Sequence, residues 1–170
     1  MPEEPVVEGP RQLAEGVEIR PATEDEIEEL LPLMRAYCDF YESSPSDDGL
    51  LEMARSSIVA PEDEAFLLVS TDDDGRVVGF AHNQWKWSSL RGRRIVFLDD
   101  LFVAESARGG GHADALIEAT AAVGRRHGAA AIEWLTAPDN HRAQAVYNRM
   151  GGRAEMFLEY ELVLSGDERG

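Results

Sequence analysis

The sequence has a single cysteine, Cys38, and few basic residues, and both shortages exclude classes of protein. One thiol cannot form an intramolecular disulfide or a cysteine-rich metal site, which is typical of a reducing compartment. The 16 lysines and arginines face 33 aspartates and glutamates, so the formal net charge is -17. Because no basic stripe is available to displace counterions from phosphates, we expect no nucleic-acid partner. The acidity suits attraction of a cationic small molecule or basic peptide, or equally a self-repelling surface.

Long hydrophobic runs are missing as well. No segment is long enough to span a bilayer, and residues 1–16 lack the basic start and apolar run of a secretory signal. We therefore expect a cytoplasmic protein that does not bind membranes. The histidines have no close ligand spacing with one another, so we expect no metal site. They are His82, His112, His127 and His141.

The chain length bounds the number of domains. At 170 residues and 44% hydrophobic content, it is long enough for one well-buried core and too short for two. Residues 1–16 and 165–170 are polar, charged and rich in Glu, Pro and Gly, and we expect them to be flexible tails. The predicted single domain is therefore 17–164.

The first half of this domain shows the periodicities of three strands and two helices. Thr23 and Glu26 have the spacing of a capping box, and apolar residues then recur at helical spacing. Aspartates and a glycine in 72–75 predict a tight turn between two antiparallel strands. In chain order, the predicted elements are a strand at 17–20, helices at 27–41 and 50–58, and strands at 66–69 and 77–81.

The second half alternates strands with helices. The predicted elements are a strand at 95–103, a helix at 114–127, a strand at 130–136, a helix at 140–150 and a strand at 156–164. A strand-helix-strand unit should be parallel with a right-handed crossover, whereas the earlier strands should be antiparallel. The order predicts an α/β fold (α+β mixed sheet), mostly antiparallel with a central parallel strand pair flanked by helices. The crevice where the parallel strands diverge is a natural ligand site.

A glycine-rich turn, Arg108–Ala113, separates the strand at 95–103 from the following helix. Glycines let backbone amides crowd around a phosphate at a helix N-terminus, where the helix dipole also favours an anion. By itself the turn is equally explained as an ordinary strand-to-helix connection.

A second motif follows the next strand. Asn140, Ala143 and Tyr147 occupy positions i, i+3 and i+7, which project from one face of a helix. Arg-x-x-Gly-x-Ala in 108–113 and Asn-x-x-Ala-x-x-x-Tyr-x-x-x-Gly in 140–151 together resemble the signature of the GNAT superfamily of acyl-CoA-dependent N-acetyltransferases. The pattern around Asp99 and Asp100 is similar to the polyamine branch. The Trp134–Thr136 run is similar to the histone-type small-amine branch.

The resemblance implies a GNAT-type fold with acetyl-CoA as co-substrate and no metal. The pantetheine arm would pair with the backbone of Leu101, Phe102 and Val103, and Asn140 would hydrogen-bond it, although helix N-capping explains Asn140 equally well. The pyrophosphate would contact Arg108, Gly109, Gly110, Gly111, His112, Ala113 and Asp114.

Three residues of this turn depart from the family pattern. Gly110 stands where a basic residue is frequent, and Asp114 places a negative charge in the first helical turn. Both weaken the local positive potential and are expected to weaken coenzyme A binding. His112 replaces a branched aliphatic residue, and either buries its ring or offers a compensating charge when protonated.

The resemblance makes Tyr147 the general acid. A thiolate leaving group of pKa about 8.5 benefits from a proton donor, and a phenol of pKa about 10 is still protonated at neutral pH. Tyr147 is also explained as a core aromatic residue on the buried face of its helix.

The acceptor amine must lose a proton before it can attack. Asp99 and Asp100 are the candidates for binding the cation and relaying its proton, with Glu133 of the neighbouring strand as a third. On a regular strand Asp99 and Asp100 would face opposite ways, and a bulge of the kind found in the family leaves open which one faces the amine. A pair of carboxylates can also mark a strand end in solvent.

Aromatic residues are candidates for the walls of the acceptor pocket. They suit an amine with an apolar body through stacking and cation-π contacts, and they are equally explained as a dimer interface or a satellite core. The four are Phe40, Tyr41, Trp85 and Trp87.

We therefore expect an acetyl-CoA-dependent N-acetyltransferase acting on a primary amine of a small molecule or basic peptide by direct attack. The alternative is a non-catalytic acyl-CoA-binding sensor or interaction module with the same fold. Only one strand is predicted after the helix that carries Tyr147, so a partner copy is a candidate to complete that sheet edge as a homodimer.

Overall fold

Apolar residues that alternate along five strands build a single mixed sheet in the computed structural model, which describes residues 14–164. The strands lie side by side in chain order, and each adjacent pair is antiparallel except β4 and β5, which are parallel. The strands are β1 (Glu18–Pro21), β2 (Ala65–Thr71), β3 (Val77–Ser88), β4 (Arg93–Val103) and β5 (Ile132–Glu133). The predicted fold class, with its parallel pair, is confirmed.

Within residues 14–164, four α-helices accompany the sheet: α1 (Ile27–Phe40), α2 (Asp47–Val59), α3 (His112–Arg126) and α4 (His141–Arg149). Helices α1 and α2 pack with Leu67, Val69 and Phe80 on one side, here called the α1–α2 face. Helix α3 packs with Leu68 and Ala81 on the other side, here called the α3 face. Because neighbouring residues of β2 and β3 fall into different clusters, the two faces lie on opposite sides of the sheet.

Side-chain caps start two of the helices, as the sequence indicates. The Glu26 carboxylate accepts a 2.9 Å hydrogen bond from the Thr23 amide, which completes the predicted capping box ahead of α1. Ser46 Oγ accepts from the Gly49 amide at 3.1 Å, so α2 begins at Asp47 rather than at the predicted residue 50. A serine at the N-cap satisfies an amide that has no partner within the helix.

Four observed strands, β2 to β5, differ in length from the predicted ones, and the differences are largest for β3 and β5. Strand β3 continues to Ser88, past the predicted end at 81, because β4 pairs with it as far as Arg93. Strand β5 has two residues instead of the predicted seven, because its ladder with β4 has only two pairs. Beyond that ladder the two strands separate.

The predicted strand at 156–164 is wrong for this structure. Residues 152–164 form no regular secondary structure and belong to no strand ladder among the described residues. A strand needs a neighbour to take its backbone hydrogen bonds, and the two-residue β5 offers too short an edge. The apolar side chains of this segment are exposed: Met156, Phe157, Leu158, Tyr160, Leu162, Val163 and Leu164.

The division into one domain and two tails stays a prediction. Residues 1–13 of the predicted N-terminal tail and the whole predicted C-terminal tail, 165–170, lie outside the described residues.

Leu116 provides a test of the α3 face. Its side chain is 0% exposed within that cluster, so Leu116→Ala should lower the free energy of unfolding by about 2–5 kcal/mol through lost burial and a residual cavity. Leu90→Ala is the control, because Leu90 is 99% exposed and its truncation should change stability by less than about 0.5 kcal/mol. Urea denaturation measures both, and equal effects would contradict the assigned packing.

Candidate functional site

The parallel strands leave an open crevice beside the second half of β4. Only Val96 and Phe97 of β4 pair with β5, opposite Ile132 and Glu133. From residue 98 to 103, β4 is hydrogen-bonded to β3 on one side and has no strand on the other among the described residues. Leu101, Phe102 and Val103, the predicted pantetheine contacts, lie in this free stretch. Their backbone edge is available to an extended ligand that adds to the sheet.

A bulge in β4 places both aspartates on one face. His82 pairs with Asp100 and Asn83 pairs with Leu98, so Asp99 is an extra residue without a partner on β3. Leu98 and Leu101 both pack on the α3 face, although they are three positions apart. Asp99 and Asp100 between them therefore both turn to the α1–α2 face. The sequence left open which aspartate faces the amine, and the structure places both on the same face of the sheet.

Asp100 is held by polar groups from two other elements. His82 Nδ1 lies 3.3 Å from Asp100 Oδ2, and the Tyr37 hydroxyl of α1 hydrogen-bonds the same carboxylate. Burial raises the pKa of Tyr37, and the negative charge of Asp100 raises it further. Tyr37 is therefore a phenol throughout the physiological range, and it donates to Asp100.

Asp99 has an unmet hydrogen-bonding need. Its Oδ2 is buried and has no partner among the described residues. Burial raises the pKa of Asp99, with the nearby His82 acting in the opposite direction. A buried carboxylate oxygen without a donor is costly, so this atom is suited to a cationic ligand that the structure does not contain.

Glu133 is already engaged by basic side chains. Its carboxylate lies 3.2 Å from Arg91 Nε and 3.9 Å from Lys86 Nζ. Glu133 therefore differs from Asp99 and Asp100 in being ion-paired with Arg91 and Lys86.

Tyr147 borders the crevice from helix α4. Its ring packs edge-on against Trp134 at a centroid distance of 5.2 Å. Burial, and then the proximity of Tyr41, raises the pKa of Tyr147 to about 12. The side chain thus packs against the core and also stays protonated, so the two explanations given by the sequence are compatible.

Asn140 joins α4 to the end of α1. Its Oδ1 accepts from the Ala143 amide at 3.2 Å, so the N-cap role is confirmed. The Tyr41 hydroxyl also hydrogen-bonds the Asn140 side chain. Tyr41 packs in turn on Phe40 and Tyr37, each at a centroid distance of 5.0 Å, which forms an aromatic row beside Asp100.

The glycine turn has the backbone geometry of an anion site. Gly109 and Gly111 adopt positive φ angles of 82° and 86°, which non-glycine residues rarely adopt, and Gly111 is the N-cap of α3. A side chain at Gly110 would lie 3.2 Å from the Ala107 carbonyl and the His112 ring, so a bulkier residue would crowd the turn. The first amides of α3 have no partner within the helix, and this is where a helix binds an anion.

The charges around this turn differ from what the sequence suggests. His112 is buried with Nδ1 2.5 Å from Ser70 Oγ, and burial lowers its pKa, so it supplies packing rather than a positive charge. The negative charge of Asp114 is paired with Arg149, at 2.5 and 2.9 Å. Arg108 Nε donates to the Val103 carbonyl at 3.1 Å, and its guanidinium lies over the Phe102 ring.

Two of the predicted acceptor-pocket aromatics lie elsewhere. Trp85 packs on the α3 face and donates from Nε1 to the Glu62 carbonyl at 2.9 Å. Trp87, two residues further along β3, points to the same side and is largely exposed. The structure therefore does not bring these tryptophans together with the aspartates, because the alternation of β3 sends them to the opposite face.

Four side chains of the site were missed by the sequence reasoning. His82 lies one residue beyond the predicted end of β3, and Tyr37 was assigned only to the apolar stripe of α1. Ser57 and Arg149 carry no local signal, because each meets its partner only through the fold.

Comparisons with known proteins agree with this geometry. The profile of the family described as "Acetyltransferase (GNAT) family" matches residues 28–152. The "Uncharacterized N-acetyltransferase YhfO" of Bacillus subtilis is 26% identical over 133 residues, which cover 78% of this chain and 87% of that protein. The "D-amino-acid N-acetyltransferase HPA3" of Saccharomyces cerevisiae is 33% identical over 86 residues, 51% of this chain and 53% of that protein.

Solved structures share the fold. A crystal structure of a probable acetyltransferase is 28% identical with a TM-score of 0.75, covering 88% of this chain and 99% of that one. The aminoglycoside N-acetyltransferase AAC(6')-Iy in complex with CoA is 23% identical with a TM-score of 0.74, covering 88% and 95%. Residues 14–164 include no helix with the length and apolar character needed to cross a membrane.

The buried Asp99 carboxylate makes a prediction about stability. Its pKa is raised by burial, so folding favours the protonated form, and stability falls as pH rises from the unfolded pKa of about 3.9 through the folded value. Asp99→Asn should therefore raise the urea midpoint at pH 7, and the gain should shrink as pH approaches 4. Glu52→Gln, an exposed control on α2, should give no such pH-dependent gain. A lower midpoint for Asp99→Asn at pH 7 would contradict this explanation.

Proposed function

The chain belongs to the acetyltransferase (GNAT) family and is an acetyl-CoA-dependent acetyltransferase, and we propose that it acetylates a primary amine by direct attack. The acceptor is a small molecule or a basic peptide. The observation that carries this proposal is the β4 bulge, which turns Asp99 and Asp100 to one face beside the free edge of β4.

The residues around the crevice suit acetyl-CoA, which supplies an acetyl thioester with a thiolate leaving group. The free backbone of 101–103 can pair with the pantetheine amides as an added strand. The amides of the turn 108–114 can bind the pyrophosphate, with two glycines in the required positive-φ conformation. Arg149 neutralises Asp114, so the carboxylate that the sequence placed against the phosphates opposes them less.

The two aspartates have different roles toward the acceptor amine. An ammonium has no lone pair, so the site must bind a cation and then remove a proton. The buried Asp99 Oδ2 without a partner is suited to bind the ammonium. Asp100, with its carboxylate held by Tyr37 and His82, accepts the proton through a water molecule.

Tyr147 acts as the general acid. Its pKa of about 12 keeps the phenol protonated at physiological pH, so it can donate as negative charge develops on sulfur. The same value means that activity is not lost through ionisation of this group until the pH approaches 12.

Aromatic and acidic groups define the class of acceptor. Tyr41 lies near the Asp100 carboxylate and Phe40 packs on Tyr41; both rings are exposed, and an amine with an apolar body would contact them. The net charge of -17 favours the approach of cations. Relatives described as acting on D-amino acids, and structural neighbours described as acting on aminoglycosides, support an amine acceptor of modest size.

With Cys38 as its sole cysteine, the protein is assigned to the cytoplasm.

We further propose that the enzyme is a homodimer formed through 153–164, the C-terminal segment. Met156, Leu158, Tyr160, Leu162 and Leu164 are all exposed, and their period of two would place them on one face if the segment became a strand. A contiguous exposed apolar row of this kind marks an interface.

A second copy of this chain is the occupant that fits. In each copy the C-terminal segment lies outside the strand ladders of the described residues, so two copies can pair their segments with each other around a two-fold axis. Glu159 and Glu161 on the other face of the segment disfavour insertion into lipid.

The acid role of Tyr147 is tested by removing its hydroxyl oxygen. Tyr147→Phe should lower kcat by about 10²–10⁴-fold, because proton donation is lost while the ring still packs. Tyr160→Phe, on the exposed segment, should leave kcat within about twofold. Thiol release is measured over a panel of polyamines, amino acids, aminoglycosides and a basic peptide, with acetyl-CoA binding measured by calorimetry. Acetyl-CoA binding by the wild-type protein without turnover on any amine would contradict the proposed reaction.

The homodimer is tested by placing charge in the apolar row. Leu158→Glu with Leu162→Glu should convert a dimer to a monomer, because paired segments cannot bury carboxylates. Both side chains are exposed in the single chain, so its folding should survive. Leu90→Glu is the matched control and should remain dimeric. Sedimentation equilibrium gives the mass, and a wild-type protein that is monomeric at tens of micromolar would refute the interface.

A further inference from the structure

The polar chain that begins at Asp100 continues into the protein interior. His82 is 3% exposed; its Nδ1 faces Asp100 Oδ2 at 3.3 Å, and its Nε2 faces Ser57 Oγ of α2 at 2.8 Å. Ser57 is itself buried, and its hydroxyl is also 3.1 Å from the Met53 carbonyl. Three elements, β4, β3 and α2, thus contribute one side chain each to a line from the crevice to the core.

The donors and acceptors of this line determine the tautomer of His82. An ionised carboxylate only accepts, so the hydrogen between Asp100 and His82 must be carried by Nδ1. In a neutral ring Nε2 then has a lone pair, and the Ser57 hydroxyl is the group that can donate to it. If the ring gains a proton, Nε2 donates to Ser57 instead, and the Ser57 hydroxyl turns to the Met53 carbonyl. In either state Nδ1 presents a hydrogen to Asp100.

We infer that His82 is a positioning residue for the acetyl transfer, and that Ser57 keeps the Nδ1 hydrogen of His82 directed at the Asp100 carboxylate. With Oδ2 engaged by His82, the carboxylate cannot rotate freely, and its remaining lone pairs are directed to the acceptor. This inference rests on the proposed role of Asp100 as proton acceptor. It adds a buried support that the acetyltransferase reaction does not by itself require.

The surroundings of the pair favour this role over simple packing. Tyr37 from α1 donates to the same carboxylate, and Cys38, whose thiol pKa is raised by burial, lies near it. Asp99 is the other acidic group close to His82, and Lys86 follows along β3 beyond the bulge. The bulge brings two carboxylates close together, so a hydrogen-bond donor from the protein interior is needed to keep Asp100 in a single orientation. A leucine or methionine at position 82 would fill the volume but would leave Asp100 without that donor.

Two amide substitutions test the roles of the two ring nitrogens of His82 separately. In His82→Asn the amide nitrogen occupies the place of Nδ1 and can still donate to Asp100. In His82→Gln the amide lies at the place of Nε2, where it reaches Ser57 but not Asp100. Gln is closer to His in volume, so a role limited to packing predicts that Gln is the better replacement.

The positioning role predicts the opposite order in kcat. His82→Gln should lower kcat by about 10²-fold through misplacement of the proton acceptor, whereas His82→Asn should retain kcat within about tenfold of wild type. KM for the amine and the Kd of acetyl-CoA should change by less than about threefold in both, because the charges that bind the ligands remain. Ser57→Ala should lower kcat in the wild-type background and not in His82→Asn, where nothing reaches Ser57.

The outcomes distinguish this inference from the proposed function. If Asp100→Asn abolishes turnover while the Gln and Asn variants at 82 have equal kcat, or Gln is the better, the positioning role is refuted and Asp100 keeps its assignment. If Asp100→Asn leaves kcat/KM unchanged, the proposed proton acceptor itself is wrong. Circular dichroism and urea midpoints confirm that each variant is folded before kcat is compared, and Tyr160→Phe serves again as the active control.

Discussion

The one-residue bulge at Asp99 is the constraint on which the rest of the site depends. Without it, Asp99 and Asp100 would face opposite sides of the sheet, and only one of them would be near α1 and α2. The bulge costs one ladder position with β3. In return it brings two carboxylates, a histidine and a tyrosine to one place, at the level where β4 loses its other neighbour. The bulge changes which face of the sheet the side chains of β4 point to. This change, rather than any single contact, thus creates the acid-rich pocket.

Local patterns predicted the elements well because their signals are local. Thr23 and Glu26 start α1 as a capping box, and Asn140 caps α4, because each cap is made within four residues. The glycine turn and the Asn-Ala-Tyr helix could be paired from sequence because their spacing reflects the fold of a family. The candidate site residues Asp100, Tyr147 and Asn140 came from the family resemblance, and their roles stay predictions.

The remaining features depend on contacts between distant segments. Whether Asp99 and Asp100 share a face depends on the register with β3, which no residue within β4 encodes. The roles of His82 and Ser57 depend on a contact across 25 positions of the chain. Trp85 and Trp87 were assigned to the acceptor pocket because the family resemblance puts their region beside it, and only the packing against α3 shows which side they face. The failure of the strand at 156–164 has a similar cause, because a strand pattern does not supply a partner.

The buried neutral His112 beneath the glycine turn has a consequence for how coenzyme A is held. Since its ring is hydrogen-bonded to Ser70 and Asp114 is paired with Arg149, neither residue offers an unpaired charge at the turn, and the proposed recognition of the phosphates relies mainly on backbone amides. Dipoles held at contact distance are screened far less by mobile ions than separated charges are. The affinity for the cofactor should therefore change little between dilute buffer and a salt-rich cell interior, which would make this enzyme's occupancy a measure of acetyl-CoA supply rather than of ionic conditions.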